Sequence, residues 1–240
     1  MFSRINLLLG NDNLNKLKQS KILLIGVGGV GGYVAEALVR SGIIYIDVVD
    51  KDVVSISNIN RQIIATSKTI NRAKVDLIKE RLEEINPNVS INTYKMFINN
   101  DNINDIDFNK YDYIIDCIDT VSAKIAIVLN AIKYNKKIIS SMGAGNRLDP
   151  QKLVITDIYK TEIDPLARVM RYELKKRRVK KLKVAISKEY PIILENKIID
   201  PESKKTTPGS FMPVVASMGL LIAADVIKDL TKEVKKWKRL

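Results

Sequence analysis

KILLIGVGGVGGYVAEALVRSGIIYIDVVD, residues 21–50, sets out in order an apolar run, a glycine cluster, a helical pattern and a second apolar run that ends in a carboxylate. Residues 22–25 are aliphatic without polar interruption, as a parallel strand covered on both faces requires. Gly26, Gly28 and Gly31 then fit G-x-G-x-x-G. The first glycine permits a tight turn, the second lets backbone approach a phosphate, and the third lets helix and strand pack closely. Gly29 and Gly32 leave further room. A helix over about 30–41 would aim its unpaired N–H groups and the positive end of its dipole over that turn, which favours an anion. Asp50 stands nineteen positions after Gly31, where a ribose-binding acid is expected. The unit predicts a bound nucleotide and leaves open which one.

Composition narrows the chemistry. The 240 residues can bury one substantial core, with or without a smaller appendage. No run approaches the roughly 18 apolar residues of a membrane span, and the first residues lack the order of a signal peptide. A soluble, cytoplasmic protein with no membrane role is therefore expected. There is no histidine, so imidazole acid–base chemistry, Ser-His-Asp triads and His metal ligands are ruled out. The single cysteine excludes disulfide frameworks and Cys-x-x-C zinc sites. Cys117 sits inside the apolar run 114–118 and is expected to be a buried packing residue. The formal charge of +13, from 40 Lys and Arg against 27 Asp and Glu, makes a polyanionic partner plausible on electrostatic grounds.

Outward from the opening unit, residues 2–18 suggest a short arm and one helix around the polar 10–13 break. Residues 51–70 hold no sustained period yet offer Asn58, Asn60, Arg61 and Gln62 directly after the ribose acid. A helix over 73–85 follows, with Lys74 in its first turn opposing the helix dipole, a conflict that an anionic ligand would relieve. Strands are expected at 89–94, 112–117 and 137–141, with a helix at 122–133, and a flexible turn at 142–146. This alternation predicts a doubly wound, Rossmann-like α/β fold: a mostly parallel sheet with helices on both faces. Further strands are read at 153–158 and 184–187, a helix at 165–178, a polar loop at 189–210 and an apolar core or dimer helix at 214–230. The expected organisation is an arm at 1–20, a nucleotide-binding core at 21–160 and a smaller C-terminal extension at 161–240. Between 168 and 188 stand Arg168, Arg171, Lys175, Lys176, Arg177, Arg178, Lys180, Lys181, Lys183 and Lys188 against one acid, Glu173. A cationic stripe of that density favours nucleic acid over a merely solvated face.

Ligands of an open parallel sheet sit outside the carboxyl ends of its strands, where Asp50 and Asp119 both fall. Together with Asn58, Arg61 and Lys74 they surround one region with two cations, an amide and two carboxylates. That set suits a triphosphate with Mg²⁺ held by Asp119 better than an uncharged nicotinamide. Attack of a carboxylate on the α-phosphate needs neither histidine nor cysteine. An adenylating enzyme is therefore expected ahead of a dehydrogenase or a nucleotide-gated RNA binder.

The residues also carry a family likeness. GVGGVGGYVAEALVRSG, VVDKDVVSISNINRQ, Lys74 and the DCIDT strand end resemble the ubiquitin-activating-enzyme superfamily of adenylating proteins. Within it, SNINRQI at 57–63, INPNV at 85–89, IDCIDTVSAK at 115–124, SMGAGNRLDP at 141–150 and KTEIDPLARVMRYELKK at 160–176 are similar to the tRNA threonylcarbamoyladenosine dehydratases. The resemblance implies a homodimer that spends ATP on activating the threonyl carboxylate of a modified tRNA base and closes it into a ring. It implies that the turn at Gly26, Gly28, Gly29 and Gly31 holds ATP with Asp50 on the ribose, and that Asp52 and Gln62 belong to the same site. Arg61 and Lys74 would contact phosphates, Asn58 would order them, and Asp119 would bind Mg²⁺. Arg4 is a candidate finger from the neighbouring subunit. The 143–146 turn would meet the base or a monovalent cation, Na⁺ or K⁺. Arg168, Arg171, Lys175, Lys176, Arg177 and Arg178 become the candidate tRNA contacts. Members that activate proteins often add a catalytic cysteine and a four-cysteine zinc site, both lacking here. Adenylation of a small carrier protein's C-terminus is the alternative, and a sulfur-transfer or redox partner protein is a further expectation.

Overall fold

The computed structural model describes residues 1–199 and 206–234. The two apolar runs of the opening unit lie side by side as parallel strands, β1 (Lys21–Ile25) and β2 (Tyr45–Val49), in register from Lys21 opposite Tyr45 to Ile25 opposite Val49. Their connection is α3 (Gly29–Arg40), which begins inside the glycine cluster. Ahead of β1 the chain forms two helices rather than one, α1 (Ser3–Leu9) and α2 (Asn11–Gln19). Gly10 separates them at φ +79°, a left-handed conformation that interrupts a helix and that glycine adopts without steric cost. α2 buries Leu14 and Leu17, whereas α1 buries nothing.

The alternation continues through α4 (Lys74–Ile85), β3 (Ser90–Tyr94), β4 (Tyr113–Asp116), α5 (Val121–Lys133) and β5 (Lys137–Ser141). Then come β6 (Leu153–Asp157), α6 (Pro165–Lys176), β7 (Lys183–Ser187) and α7 (Met212–Leu230). The seven strands form one sheet in the order β3-β2-β1-β4-β5-β7-β6, parallel except for β6, which runs antiparallel to β7 at one edge. This is the mixed, doubly wound α/β sheet that the alternation predicts. The stretch 161–240 contributes β7 to the interior of the sheet, because the apolar run 184–187 is buried throughout and pairs with β5 on one side and β6 on the other. Residues 200–205, within the polar loop expected at 189–210, and 235–240 lie outside the described residues.

Period-two alternation along β1 shows how the layers divide. Ile22 and Leu24 enter a core with residues of α3, α4 and α7, while Leu23 and Ile25 enter a second core with Ala123, Ala126 and Ile127 of α5. A third cluster packs Ile125 and Val128 of α5 against Ala167, Met170 and Leu174 of α6. α6 starts firmly: Asp164 accepts from Ala167 N at 2.7 Å and Pro165 occupies the first helical position.

Of the core and dimer roles expected for the apolar run 214–230, α7 takes the core one in this chain. Its Val214, Met218, Ile222, Ala223 and Val226 are buried, and it packs on α3 through Gly219. A Cβ added to Gly219 would stand 2.5 Å from Val30 O and 2.9 Å from Tyr33 Cβ, so the two helices approach backbone to backbone. Gly219→Val is expected to destabilise the fold by about 1–3 kcal/mol through overpacking, read as a lower midpoint in urea.

The far end of α7 is held electrostatically. Asp229 accepts from Tyr113 Oη at 2.7 Å and from Lys183 Nζ at 2.6 Å, and Lys183 also reaches Asp225 at 2.8 Å. Burial opposes ionisation of Asp229, but the bonds from Lys183 and Tyr113 outweigh it and hold the carboxyl below its usual range. A depressed folded-state value means that this contribution is complete above about pH 4, the ordinary carboxylate range, and is lost as pH falls through the lower folded value. Asp229→Asn is therefore expected to lower stability at neutral pH and to flatten the decline in stability on acidification. Urea unfolding at a series of pH values checks both.

Candidate active site

The carboxyl ends of β1, β2, β4 and β5 border a cavity of about 900 Å³. It lies where the strand order reverses, β1 being followed by a helix on one face and its neighbour β4 by a helix on the other, the usual ligand crevice of such sheets. The glycine turn forms its floor, with Gly26, Gly28 and Gly29 on the wall.

Each glycine has a different reason. Gly26 holds φ +91°, and a Cβ there would meet Cys117 O at 2.8 Å. Gly31 sits behind the wall, where a Cβ would fall 1.8 Å from Gly26 O, so only glycine lets α3 close on the end of β1. Gly29 leaves room for the Val215 side chain of α7, which a Cβ would approach to 2.6 Å. Gly28 meets nothing nearer than Gln62 Nε2 at 3.8 Å, so its bareness faces the cavity.

Asp50 follows β2 and grips this turn. Its Oδ2 accepts from Val27 N at 2.8 Å and its Oδ1 from Asp52 N at 2.9 Å. Burial pushes its carboxyl up, while nearby Lys74 and the two N–H groups pull it down; burial prevails. Lys74 opens α4 almost wholly buried, with Nζ 2.9 Å from Asp52 Oδ2. That contact answers the dipole conflict noted in the sequence, since Asp52 supplies a negative charge beside the misplaced ammonium.

Arg61 is half-buried on the same wall, and burial lowers its guanidinium from the usual value. Its Nη1 donates to Ser57 O at 2.8 Å and Asn60 Oδ1 at 3.0 Å, leaving the other guanidinium donors without a bond among the described residues. Asn58 builds the turn that carries it: its Oδ1 accepts from Ser55 N at 3.2 Å in a reciprocal cap. Gln62 is buried on the wall, and its Oε1 has no donor among the described residues. A buried acceptor left open toward a cavity fits a ligand that brings hydroxyl or amine hydrogens. Across the cavity, Asp119 is exposed on the rim beyond β4.

Arg4 and the basic residues of 168–178 stand away from this cavity. Arg4 is exposed on α1 and does not line the cavity of its own chain. Among the basic residues, Arg171 turns inward and donates to Thr161 O at 2.8 Å and to Thr161 Oγ1. Arg177 is bonded to Glu173, and Lys176 lies 3.6 Å from the same carboxylate and 4.1 Å from the Tyr172 ring centre. Arg168, Lys175 and Arg178 are exposed without an ion pair among the described residues. Cys117 is partly buried, and burial together with Asp116 pushes its thiol up, away from nucleophilic use.

Other parts of the wall carry no sequence signal. Met96, Phe97 and Ile98 line one side from an irregular segment after β3. Residues 206–210 close another side as a strap over the turn at 143–146. Asn146 clasps that strap, accepting from Gly209 N at 2.7 Å through its side chain and donating its own N–H to Gly209 O at 2.8 Å. The φ of Asn146, +57°, makes the clasp possible, and nothing in the order of residues 189–210 reveals it.

With a glycine turn, a turn-bound carboxylate, two cations and an opposed carboxylate around one crevice, the site is that of a nucleotide-binding α/β protein, and the ThiF family model matches residues 2–239. The chain belongs to the ThiF family. It is 40% identical, over 98% of its length and 96% of the relative's, to a Bacillus subtilis protein named tRNA threonylcarbamoyladenosine dehydratase. The crystal structure of the E. coli tRNA N6-threonylcarbamoyladenosine dehydratase in complex with AMP matches with a TM-score of 0.87 at 29% identity, covering 95% of this chain and 93% of that one. The same protein in complex with ATP matches with a TM-score of 0.84 at 29% identity over the same shares of the two chains.

The glycines separate fold from binding. Gly31→Ala is expected to lower the melting temperature and abolish nucleotide binding together. Gly28→Ala is expected to melt close to the parent protein but to bind AMP at least about 10-fold more weakly, a difference of about 1.4 kcal/mol by titration calorimetry.

Proposed function

We propose that this chain is an ATP-dependent tRNA threonylcarbamoyladenosine dehydratase, adenylating the threonyl carboxylate of the modified base and closing it to the cyclic form. The observation that carries this reading is the placing of Arg61, Lys74 and Asp119 around a glycine turn whose one open face, at Gly28, points into the cavity. The carboxylate attacks the α-phosphorus and pyrophosphate departs. The ureido group then attacks the activated carbonyl and AMP departs, carrying away the oxygen that would otherwise leave as water. Charge builds on phosphoryl oxygens in the first step, which is where fixed guanidinium and ammonium groups stabilise a transition state. Both steps proceed without thiol or imidazole, in keeping with the raised Cys117 thiol and the absence of histidine.

Asp119 is the residue that would hold Mg²⁺, an ion commonly bound by one or two carboxylates plus substrate phosphates, and the ion would neutralise phosphate charge there. The 143–146 turn is the candidate contact for the base or for Na⁺ or K⁺. Arg168, Lys175 and Arg178 are the exposed cations offered to tRNA phosphates. Homodimerisation would give Arg4 a cavity to enter, and the exposed Leu7 and Leu8 of α1 give that helix an apolar surface for a second copy. A sulfur-transfer or redox partner would have to act through its own thiol. Adenylation of a carrier protein is the weaker reading, because the relative aligned end to end bears the dehydratase name.

Arg61→Ala is expected to cut AMP and pyrophosphate formation on threonylcarbamoyladenosine tRNA by about 100-fold or more, close to 3 kcal/mol of transition-state stabilisation, with little change in melting temperature. Quantifying AMP and the cyclic nucleoside by mass spectrometry checks it. ATP consumption by the parent protein that is indifferent to that tRNA would overturn the proposal.

A further inference from the structure

Lys124 lies in the first turn of α5, beneath the cavity rather than on its wall, and is wholly buried. A buried ammonium is tolerated only when its three donors are filled. Here Nζ donates to Ile118 O at 2.9 Å and to Ser141 O at 2.8 Å, and stands 2.9 Å from Asp116 Oδ2. Asp116 is equally buried at the end of β4, and accepts in addition from Ser140 Oγ at 2.5 Å and Ile118 N at 3.2 Å. The three donors of Lys124 are filled within the protein, and both oxygens of Asp116 are engaged there.

Its two carbonyl partners belong to different loops. Ile118 immediately precedes Asp119 in the loop after β4, and Ser141 ends β5 just before the 143–146 turn. Both loops form the cavity wall. Two carbonyl oxygens directed at one point repel each other unless a cation sits between them, and Lys124 is that cation. Stability alone does not call for it, since a buried ion pair can often be exchanged for apolar residues of similar volume without loss. An apolar side chain could fill the space but could not draw the two carbonyls together.

We propose that Lys124 is a positioning residue for the adenylation step. Through Ile118 O and Ser141 O it sets the separation of the Asp119 loop from the 143–146 turn, and so the place of Asp119 relative to the phosphates. Asp116 balances its charge, so the tie adds no net charge beneath the floor of the site. The inference rests on the adenylating function proposed above. That function is tested on the parent protein, which must form AMP on threonylcarbamoyladenosine tRNA, whereas this inference is tested on variants and resonances of a protein that does.

Lys124→Met alone would strand a buried carboxylate, so the informative variant is Asp116→Asn with Lys124→Met, which keeps the aspartate shape, falls one atom short of the lysine chain and removes both charges. It is expected to fold, to bind AMP within about 3-fold of the parent, and to lose about 100-fold in kcat for AMP formation, the scale of a 1 Å misplacement of reacting groups. KM for tRNA is expected to stay near the parent value. A parental kcat per AMP-binding site would overturn the proposal, because a merely structural pair alters only the amount of folded protein. A second measurement needs no variant. The Lys124 ammonium in ¹⁵N-lysine-labelled parent protein, assigned by its through-space contacts to Ile118 and Ser141, is expected to exchange slowly and to shift when ATP with Mg²⁺ is added. An unmoved resonance at saturation would overturn the proposal whether or not the double variant folds.

Discussion

The structure depends on the approach of Gly31 to the carbonyl of Gly26. With room for no heavier atom at that point, α3 seats directly on the end of β1, and its first turn aims at the crevice instead of lying across it. α7 then packs on α3 through its own glycine, so a second helix inherits the position fixed by the first. Val215 of α7 in turn fills the space left bare by Gly29, which makes the C-terminal helix part of the support beneath the nucleotide floor. One steric allowance near the N-terminus thus passes through two helix contacts to a residue nearly two hundred positions later.

Charge is arranged around that frame in two layers. Beneath the floor, Asp116 and Lys124 neutralise one another, with every ammonium donor filled and both carboxylate oxygens held by the protein. On the wall, bonding is deliberately incomplete: Arg61 keeps unused donors, Gln62 keeps an open acceptor, and Asp119 stands on the rim. The inner layer holds geometry, and the unsaturated layer is left to meet a ligand. Asp50 belongs to both, because its oxygens grip the glycine turn while lone pairs remain for a hydroxyl.

Much of this was legible in the order of residues. Parallel strands covered on both faces announce themselves as unbroken aliphatic runs, and β1, β4 and β5 were placed within a residue or two for that reason. The amphipathic repeat of α4 and the Asp164-Pro165 start of α6 were equally readable, since helix period and cap are local properties. The division of the arm at Gly10 was less so, because the polar 10–13 break reads equally as a loop. The strap at 206–210, the Asn146 clasp and the inward turn of Arg171 left no mark, as each depends on a partner far away along the chain. Arg171 has the same appearance in sequence as Arg168, and only the proximity of Thr161 separates a structural cation from an exposed one.

The sequence by itself determined the alternating α/β plan, the glycine turn, the family and the set of ionisable groups gathered at the strand ends. Each of these is written in neighbouring residues, in spacing, or in which residue types are absent. Only the tertiary structure decided that β7 enters the interior of the sheet, that Lys74 is met by Asp52, and that Lys124 joins two loops. These are long-range pairings whose energies depend on burial and on the filling of every donor, conditions that exist only once the chain has closed around them.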